Sequence, residues 1–252
     1  MSEFSMKKIT YSILSLLFIQ ISNSVFAGEA IGYYSSGSLK DGLSFEREAP
    51  FIHKLFKARN RLYATDDFFE VVKQIDQVVQ SFDSVGEKIQ IGDFSNLKGG
   101  KATGHASHQN GIEADFVYLT VNRRLQSPSA TYWEEEFVSG NKLTANFDLP
   151  RNVQLFEFLA NDIPTSRIFV DAVVKREVCR YVETKGIKNQ ARIQNMLRRL
   201  RIEDLHKTHY HLRLFCPVSD TSCKPQSEPP MGDGCDAFSQ LVIENSERVP
   251  SC

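Results

Sequence analysis

The sequence has no surplus of charge of either sign, since 30 basic residues are balanced by 31 acidic ones and the formal net charge is −1. Proteins that bind nucleic acid usually carry a clustered basic patch, so we expect no nucleic acid partner. After residue 27, no run approaches the roughly 20 apolar residues that a transmembrane helix needs. We therefore expect no stable membrane anchor in the mature chain.

The N-terminus has the three-part pattern of a secretory signal peptide. Lys7 and Lys8 precede an apolar stretch over residues 9–25, and Val25-Phe26-Ala27 offers a cleavage site before Gly28. Polar residues interrupt the stretch, which makes it too short and too polar for a good membrane span. We expect residues 1–27 to be removed and residues 28–252 to form one exported domain.

Cysteine is absent until position 179, and the five cysteines that follow show no C-x-x-C spacing: Cys179, Cys216, Cys223, Cys235 and Cys252. That spacing is typical of thiolate zinc sites, so cysteine zinc ligands are disfavoured. In an exported protein these residues predict disulfides with one thiol left over, which is free or pairs with another chain. Six residues of a polar stretch separate Cys216 from Cys223, which favours a local bond.

Apolar periodicity predicts a mixture of helices and strands. The clearest helix has an apolar stripe from Phe68 to Phe82 after a capping-box-like start at Asp67. Further helices are predicted over residues 151–160, from a cap at Asp171 towards Tyr181, and over residues 187–201. Strands are predicted over residues 88–92, 114–119, 167–170 and 210–215, and residues 120–150 are irregular.

Histidine is scarce, with six residues, yet five of them lie in two short clusters. The first, residues 104–115, is GHASHQNGIEAD, and the second, residues 206–214, is HKTHYHLRL. A His…Asp pair followed about a hundred residues later by His-x-His provides the three ligands of a catalytic zinc site, which leaves the fourth position open for water.

Strand and turn geometry can bring these ligands together. His209 and His211 are two residues apart on a predicted strand, so both project from the same face. Gly111 allows the chain to reverse between His108 and Asp115. Zinc in such a site lowers the pKa of its water to about 7 and polarises a carbonyl.

Four neighbouring residues are candidates for supporting roles. His209 or His206 could stabilise developing charge or carry the proton. Glu113 shares a strand face with Asp115 and is either a general base or, more simply, a residue that supports a ligand. Arg213 either contacts a substrate carboxylate or forms a structural salt bridge.

The two histidine motifs resemble those of the penicillin-insensitive murein endopeptidases. That family belongs to a wider zinc peptidase group, which includes D-alanyl-D-alanine carboxypeptidases and the hedgehog signalling domain. The likeness extends to residues 166–170 and to the cysteine-bearing tail, and so covers most of residues 28–252. It implies an α+β fold, with a small antiparallel sheet flanked by helices and by long disulfide-tied loops.

The resemblance also implies roles for individual residues. It implies one Zn²⁺ per chain, with ligands His108, Asp115 and His211 and catalytic histidines His209 and His206. His105 matches a further histidine of the motif, either an additional ligand or a supporting residue. The implied disulfides are Cys179–Cys235 and Cys216–Cys223.

Two departures from the family pattern bear on this prediction. The family's N-terminal cysteine is replaced near Ser38, which leaves Cys252 without its partner. Residues 147–150 lack the Asp and His associated with an additional metal in some members, which predicts one zinc rather than two. The loops around Trp133 also diverge, so substrate preference can differ.

The resemblance implies a periplasmic zinc endopeptidase that acts on peptidoglycan and hydrolyses the D-alanyl–meso-diaminopimelyl cross-link. Such an enzyme needs no serine nucleophile, which would explain insensitivity to β-lactams. Two alternatives remain: a peptidoglycan carboxypeptidase of the same fold, and a non-catalytic zinc-holding module that binds the cell wall or signals.

Overall fold

All four predicted helices form, although the last is shorter than predicted, and one short additional α-helix forms where none was predicted. The computed structural model describes residues 28–82, 86–236 and 238, so the predicted signal peptide and Cys252 lie outside the described residues. The described α-helices are α1 Phe45–Glu48, α2 Asp66–Ser81, α3 Leu149–Asn161, α4 Ala172–Thr184 and α5 Ala191–Arg199. None of these helices has both the length and the apolar composition that crossing a membrane requires.

Short polar side chains fix where the helices begin. The Thr65 hydroxyl accepts a hydrogen bond from the Phe68 backbone N–H at 3.2 Å, so the cap of α2 lies two residues earlier than predicted, and Asp67 lies in the first turn. Asp171 caps α4 by accepting from the Val173 N–H at 2.7 Å, which confirms the prediction. Each cap satisfies a backbone donor that the first helical turn leaves without an intrahelical partner.

The main sheet has six strands in the order β11-β10-β12-β7-β6-β4. Its central pairs are antiparallel, whereas β11 and β4 run parallel to their neighbours at the two edges. A helix was predicted over residues 187–201, but α5 ends at Arg199 and strand β11 begins at Leu200. The strands are β1 Glu29–Tyr33, β2 Ser36–Lys40, β3 Leu43–Ser44, β4 His53–Lys54, β5 Tyr63–Ala64, β6 Gln90–Ile91, β7 Glu113–Phe116, β8 Val138–Ser139, β9 Lys142–Leu143, β10 Thr165–Val170, β11 Leu200–Ile202 and β12 Tyr210–Leu214.

One face of the central strands carries the core. Phe116 of β7 stacks on Tyr210 of β12 with ring centroids 5.3 Å apart. Phe68 of α2 and Phe156 of α3 contact this pair. Successive side chains of a strand point to opposite faces. The alternate residues of β7 and β12 therefore lie on the face of the sheet away from this core. The combination of helices and a mixed sheet confirms the α+β class.

Two disulfides join the tail to the body of the protein. Cys179 of α4 is bonded to Cys235, and Cys216 to Cys223, the same pairs that the family resemblance implied. Disulfides persist in oxidising compartments, which is consistent with export.

Removing the Cys179–Cys235 bond with paired alanine substitutions is expected to lower the free energy of unfolding by about 3–4 kcal/mol. This bond spans 56 residues of sequence, whereas Cys216–Cys223 spans only 7, so its loss frees more of the unfolded chain. The matched Cys216→Ala/Cys223→Ala variant should lose about 2 kcal/mol. Urea denaturation measures both values, and equal losses would contradict the prediction.

Buried Lys175 predicts that stability rises with pH above neutrality. Burial lowers the pKa of Lys175 to about 7 from its ordinary value of 10.5, and its ammonium donates to the carbonyls of Leu197 and Asp233. Between these pKa values the unfolded chain binds a proton that the folded chain releases. The free energy of unfolding should therefore increase by up to about 1.4 kcal/mol per pH unit from this group.

Denaturation of the Lys175→Met variant between pH 7 and pH 10 checks this expectation. The variant should show a flatter rise than the wild type, whereas Lys73→Met, at an exposed position of α2, should keep the wild-type slope. Identical slopes in the wild type and Lys175→Met would rule the effect out.

Candidate active site

The pairing register of β7 and β12 places two acid–base pairs on the face of the sheet opposite the aromatic core. Asp115 lies directly across from His211, and Glu113 directly across from Arg213. Side chains that face each other in this way have Cβ atoms about 5 Å apart. The alternation of side chains along a strand, used above for His209 and His211, therefore holds for β7 as well as for β12.

Three donor atoms meet above this face. His108 Nε2 lies 3.0 Å from His211 Nδ1 and 3.2 Å from Asp115 Oδ1, and His211 Nδ1 lies 3.1 Å from Asp115 Oδ1. All three residues are buried. Ligands placed 2.0–2.1 Å from a tetrahedral zinc are about 3.3–3.4 Å from one another, close to these separations.

A tight loop carries His108 into this position. Gly111 has φ +80°, and a Cβ there would lie 3.1 Å from the Thr65 backbone nitrogen, so glycine meets both the conformational and the steric requirement. His108 itself has φ 63°, which is uncommon for a residue with a side chain. Its backbone N–H donates to Glu113 Oε2 at 2.6 Å, and this bond ties the loop to β7.

Glu113 is buried in contact with Arg213 and His211. It is fully buried, accepts a hydrogen bond from the Arg213 guanidinium, and lies with Oε1 3.3 Å from His211 Nε2. Burial alone would raise its pKa, but Arg213 and His211 outweigh burial and hold the pKa well below the usual range. With Glu113 facing Nε2, the Nδ1 atom of His211 is the one directed at Asp115 and His108.

Arg213 makes several contacts within the protein. Besides its ion pair with Glu113, it donates to Gln226 Oε1 at 2.8 Å and lies 3.5 Å above the ring of Tyr34. These contacts favour the structural salt bridge over the substrate contact considered from the sequence.

His209 and His206 line the same face beside the three donors. His209 Nε2 lies 3.6 Å from Asp115 Oδ1, and Thr208 Oγ1 lies 2.8 Å from its Nδ1. Burial lowers the pKa of His209 to about 3 against the opposing effect of Asp115, so the ring is neutral at pH 7. The His206 ring lies 4.9 Å from that of His209, and its Nδ1 contacts the Asp204 carbonyl at 2.7 Å.

His105 approaches Asp115 from the other side. Its Nε2 lies 2.9 Å from Asp93 Oδ2, and its Nδ1 lies 3.9 Å from Asp115 Oδ2. His105, His108 and Asp115 present donor atoms that all lie within 4.8 Å of one another. This part of the protein can therefore hold a metal ion.

The sequence profile of the penicillin-insensitive murein endopeptidases matches residues 30–251. The chain belongs to this peptidase family. The match spans nearly all of the described residues, including both histidine clusters and both disulfides.

Relatives named penicillin-insensitive murein endopeptidase are similar to this family member over most of their length. The protein of Klebsiella pneumoniae subsp. pneumoniae is 28% identical over 222 residues, which cover 86% of this chain and 77% of the relative. The protein of Escherichia coli O157:H7 is 27% identical with the same coverage. That of Pectobacterium atrosepticum is 27% identical over 214 residues, which cover 83% of this chain and 72% of the relative.

Two residues near the site of this murein endopeptidase family member were not identified from the sequence. Asp93, 1% exposed, accepts hydrogen bonds from His105, Arg59 and Arg61; its only signal is its position directly after a predicted strand. Trp133 stacks on His209 with ring centroids 4.5 Å apart. Nothing in the sequence of its irregular loop indicates that contact.

Proposed function

We propose that this protein is a zinc-dependent DD-endopeptidase that hydrolyses the D-alanyl–meso-diaminopimelyl cross-links of peptidoglycan. Membership of the murein endopeptidase family and the names of the relatives support this substrate. We further propose that residues 1–27 direct the chain to the periplasm and that residues 28–252 form one catalytic domain. The two disulfides support an oxidising location.

The observation that carries the proposal is the close approach of His108 Nε2, Asp115 Oδ1 and His211 Nδ1, at 3.0–3.2 Å from one another. If the proton of His211 is on Nε2, 3.3 Å from Glu113 Oε1, the lone pair of Nδ1 is directed at a carboxylate oxygen of Asp115. Lone pairs that converge at this distance repel one another unless a cation or protons lie between them. One zinc ion, held by these three residues, fits the donor set.

His211 is preferred to His105 as the third ligand on distance. His211 Nδ1 and His108 Nε2 both lie within 3.2 Å of Asp115 Oδ1, whereas His105 Nδ1 lies 3.9 Å from Asp115 Oδ2. His211 also has a buried carboxylate, Glu113, on its far nitrogen, an arrangement typical of metal-bound histidines. We assign His105 to a supporting role beside Asp115.

Zinc, when bound, lowers the pKa of water and polarises the carbonyl of the scissile bond. The protein's own side chains contribute by orienting the reacting groups and by moving the proton. His209 Nε2 lies 3.6 Å from Asp115 Oδ1, at the edge of the ligand set, so the unprotonated ring is within reach to accept a proton there and return it to the leaving amine. With Nδ1 facing the Asp204 carbonyl, the neutral His206 ring carries its proton on Nδ1, and Nε2 can stabilise charge on the carbonyl oxygen only once it also takes up a proton.

The test is to digest purified diaminopimelate-type sacculi with residues 28–252, with zinc or with a chelator, and to separate the muropeptides. The expected result is loss of cross-linked dimers with a matching gain of monomers, abolished by the chelator and restored by zinc. A His211→Ala variant should be inactive under every condition.

Two other outcomes would overturn the proposal. Unchanged dimers with shortened stem peptides would identify a carboxypeptidase. No product from protein shown to contain zinc would identify a non-catalytic zinc-holding module.

A further inference from the structure

Trp133 lies flat against the imidazole of His209. The two ring centroids are 4.5 Å apart and the planes differ by 13°. The indole also packs against Phe56 in an edge-to-face arrangement, with centroids 4.7 Å apart and planes 82° apart. Trp133 thus contacts both His209 and a buried aromatic ring of the body of the protein.

The indole occupies space that any other residue at position 92 would fill. A Cβ on Gly92 would lie 2.5 Å from Trp133 Cη2 and 3.0 Å from Cζ2. The backbone N–H of Gly92 donates to the Asp115 carbonyl at 2.8 Å. Trp133 is therefore packed against the same stretch of backbone that holds the strand of the proposed ligand Asp115.

Several hydrogen bonds fasten the loop that carries Trp133. His53, the one histidine outside the two clusters, lies with Nε2 2.7 Å from the Gln126 carbonyl, and the Gln126 N–H donates to Gln90 Oε1 at 2.7 Å. The Phe137 N–H donates to the Lys207 carbonyl at 2.8 Å, which joins the end of the loop to the second histidine cluster. These bonds anchor the loop on both sides of Trp133, at Gln126 and at Phe137.

The support beneath Trp133 has an unusual backbone. Phe56 is 1% exposed and has φ 54°, a conformation that residues with a side chain rarely adopt. The Arg59 guanidinium lies 3.9 Å from the centroid of its ring. Uncommon backbone conformations of this kind persist where surrounding contacts impose them, and they are concentrated at functional sites.

Two contacts together define the orientation of His209. Thr208 Oγ1, 2.8 Å from Nδ1, limits rotation of the ring within its plane, and Trp133 limits tilt of that plane. The result is that Nε2 faces Asp115 Oδ1 at 3.6 Å. A misplacement of about 1 Å at a reacting group can cost about 100-fold in rate, so restraint of this ring matters for the chemistry.

We propose that Trp133 is a positioning residue for His209, which it holds in the orientation needed to carry the proton during cross-link hydrolysis. The inference rests on the proposed function. It implies that Trp133 acts on kcat and only through His209, and that it contributes little to substrate affinity or to zinc binding.

The kinetic test uses Trp133→Ala and Trp133→Phe, each in the wild-type and His209→Ala backgrounds, with a soluble cross-linked muropeptide dimer as substrate. We expect Trp133→Ala to lower kcat by roughly 10- to 100-fold, as for loss of residues that orient a reacting group. KM should change by less than about twofold, and zinc content should not change. Trp133→Phe should restore most of kcat, and neither substitution should lower it further when His209 is already Ala.

The second readout is fluorescence, because Trp133 is the single tryptophan of the sequence. Removing the stacked ring with His209→Ala exposes the indole to water, so its emission should shift to longer wavelength. The matched control is His105→Ala, since the His105 ring packs on His108 instead; its emission should match the wild type.

The outcomes separate the inference from the function on which it rests. A wild-type protein that converts no dimer overturns the proposed function and this inference with it. An active wild type overturns the inference alone if Trp133→Ala raises KM and leaves kcat unchanged, if it lowers kcat equally in both backgrounds, or if His209→Ala leaves the emission unchanged.

Discussion

Asp115→Asn is expected to abolish metal binding and to lower kcat/KM for cross-linked muropeptides by at least about 10³-fold. Asp115 Oδ1 lies within 3.6 Å of a ring nitrogen of His108, His209 and His211. Burial by itself would raise the pKa of Asp115, but His108 and His209 outweigh it and hold that pKa well below the ordinary value. An amide in the same place supplies neither the negative charge nor an equally strong ligand for zinc.

Zinc content by mass spectrometry and dimer cleavage by chromatography check this prediction together. The matched control is Asp41→Asn, because Asp41 is exposed and has φ 51°, a conformation that asparagine adopts readily. The control should keep its zinc and its activity. If Asp115→Asn retained stoichiometric zinc and near-normal turnover, the assignment of the metal centre would be wrong.

Glu113→Ala is expected to lower the free energy of unfolding by about 3–5 kcal/mol, because it leaves the buried Arg213 guanidinium without its carboxylate. Glu113 is fully buried and Arg213 is 6% exposed, so water cannot replace the lost partner. For a protein of this size the change corresponds to a fall in Tm of roughly 10 °C.

Thermal denaturation in the presence of a chelator measures this effect without a contribution from metal binding. Glu70→Ala removes the carboxylate of an exposed ion pair with Lys73, and it should cost less than about 1 kcal/mol. The double variant Glu113→Leu/Arg213→Met, which removes both charges, should be more stable than Glu113→Ala. A loss no larger than that of Glu70→Ala would contradict the structural role of the pair.

The positions of the proposed ligands were predictable because they depend on local geometry. His209 and His211 share a face because side chains alternate along a strand, and Gly111 allows the reversal between His108 and Asp115 because it adopts φ +80°. Both signals lie within a few residues of the site. The family match over residues 30–251 confirms the resemblance that these motifs carried.

The elements that were misplaced depend on partners far away in the sequence. The segment after Arg199 continues as β11 rather than as helix, because Leu200 pairs with Ile168 of β10. Likewise, helical periodicity alone does not distinguish Thr65 from Asp67 as the cap of α2, because both are residues that favour helix starts. Strand pairing decides where α5 ends, and the direction from which the chain enters α2 decides which residue caps that helix.

The sequence by itself determined the family, through the two histidine motifs, and with it the α+β class and the candidate metal ligands, since motif spacing is a property of neighbouring positions. Only the tertiary structure decided how those residues are supported. Glu113 lies behind His211, Asp93 behind His105 and Trp133 against His209, contacts that join residues 12 to 98 positions apart. Such contacts depend on strand register and loop path, which the packing of the whole chain fixes.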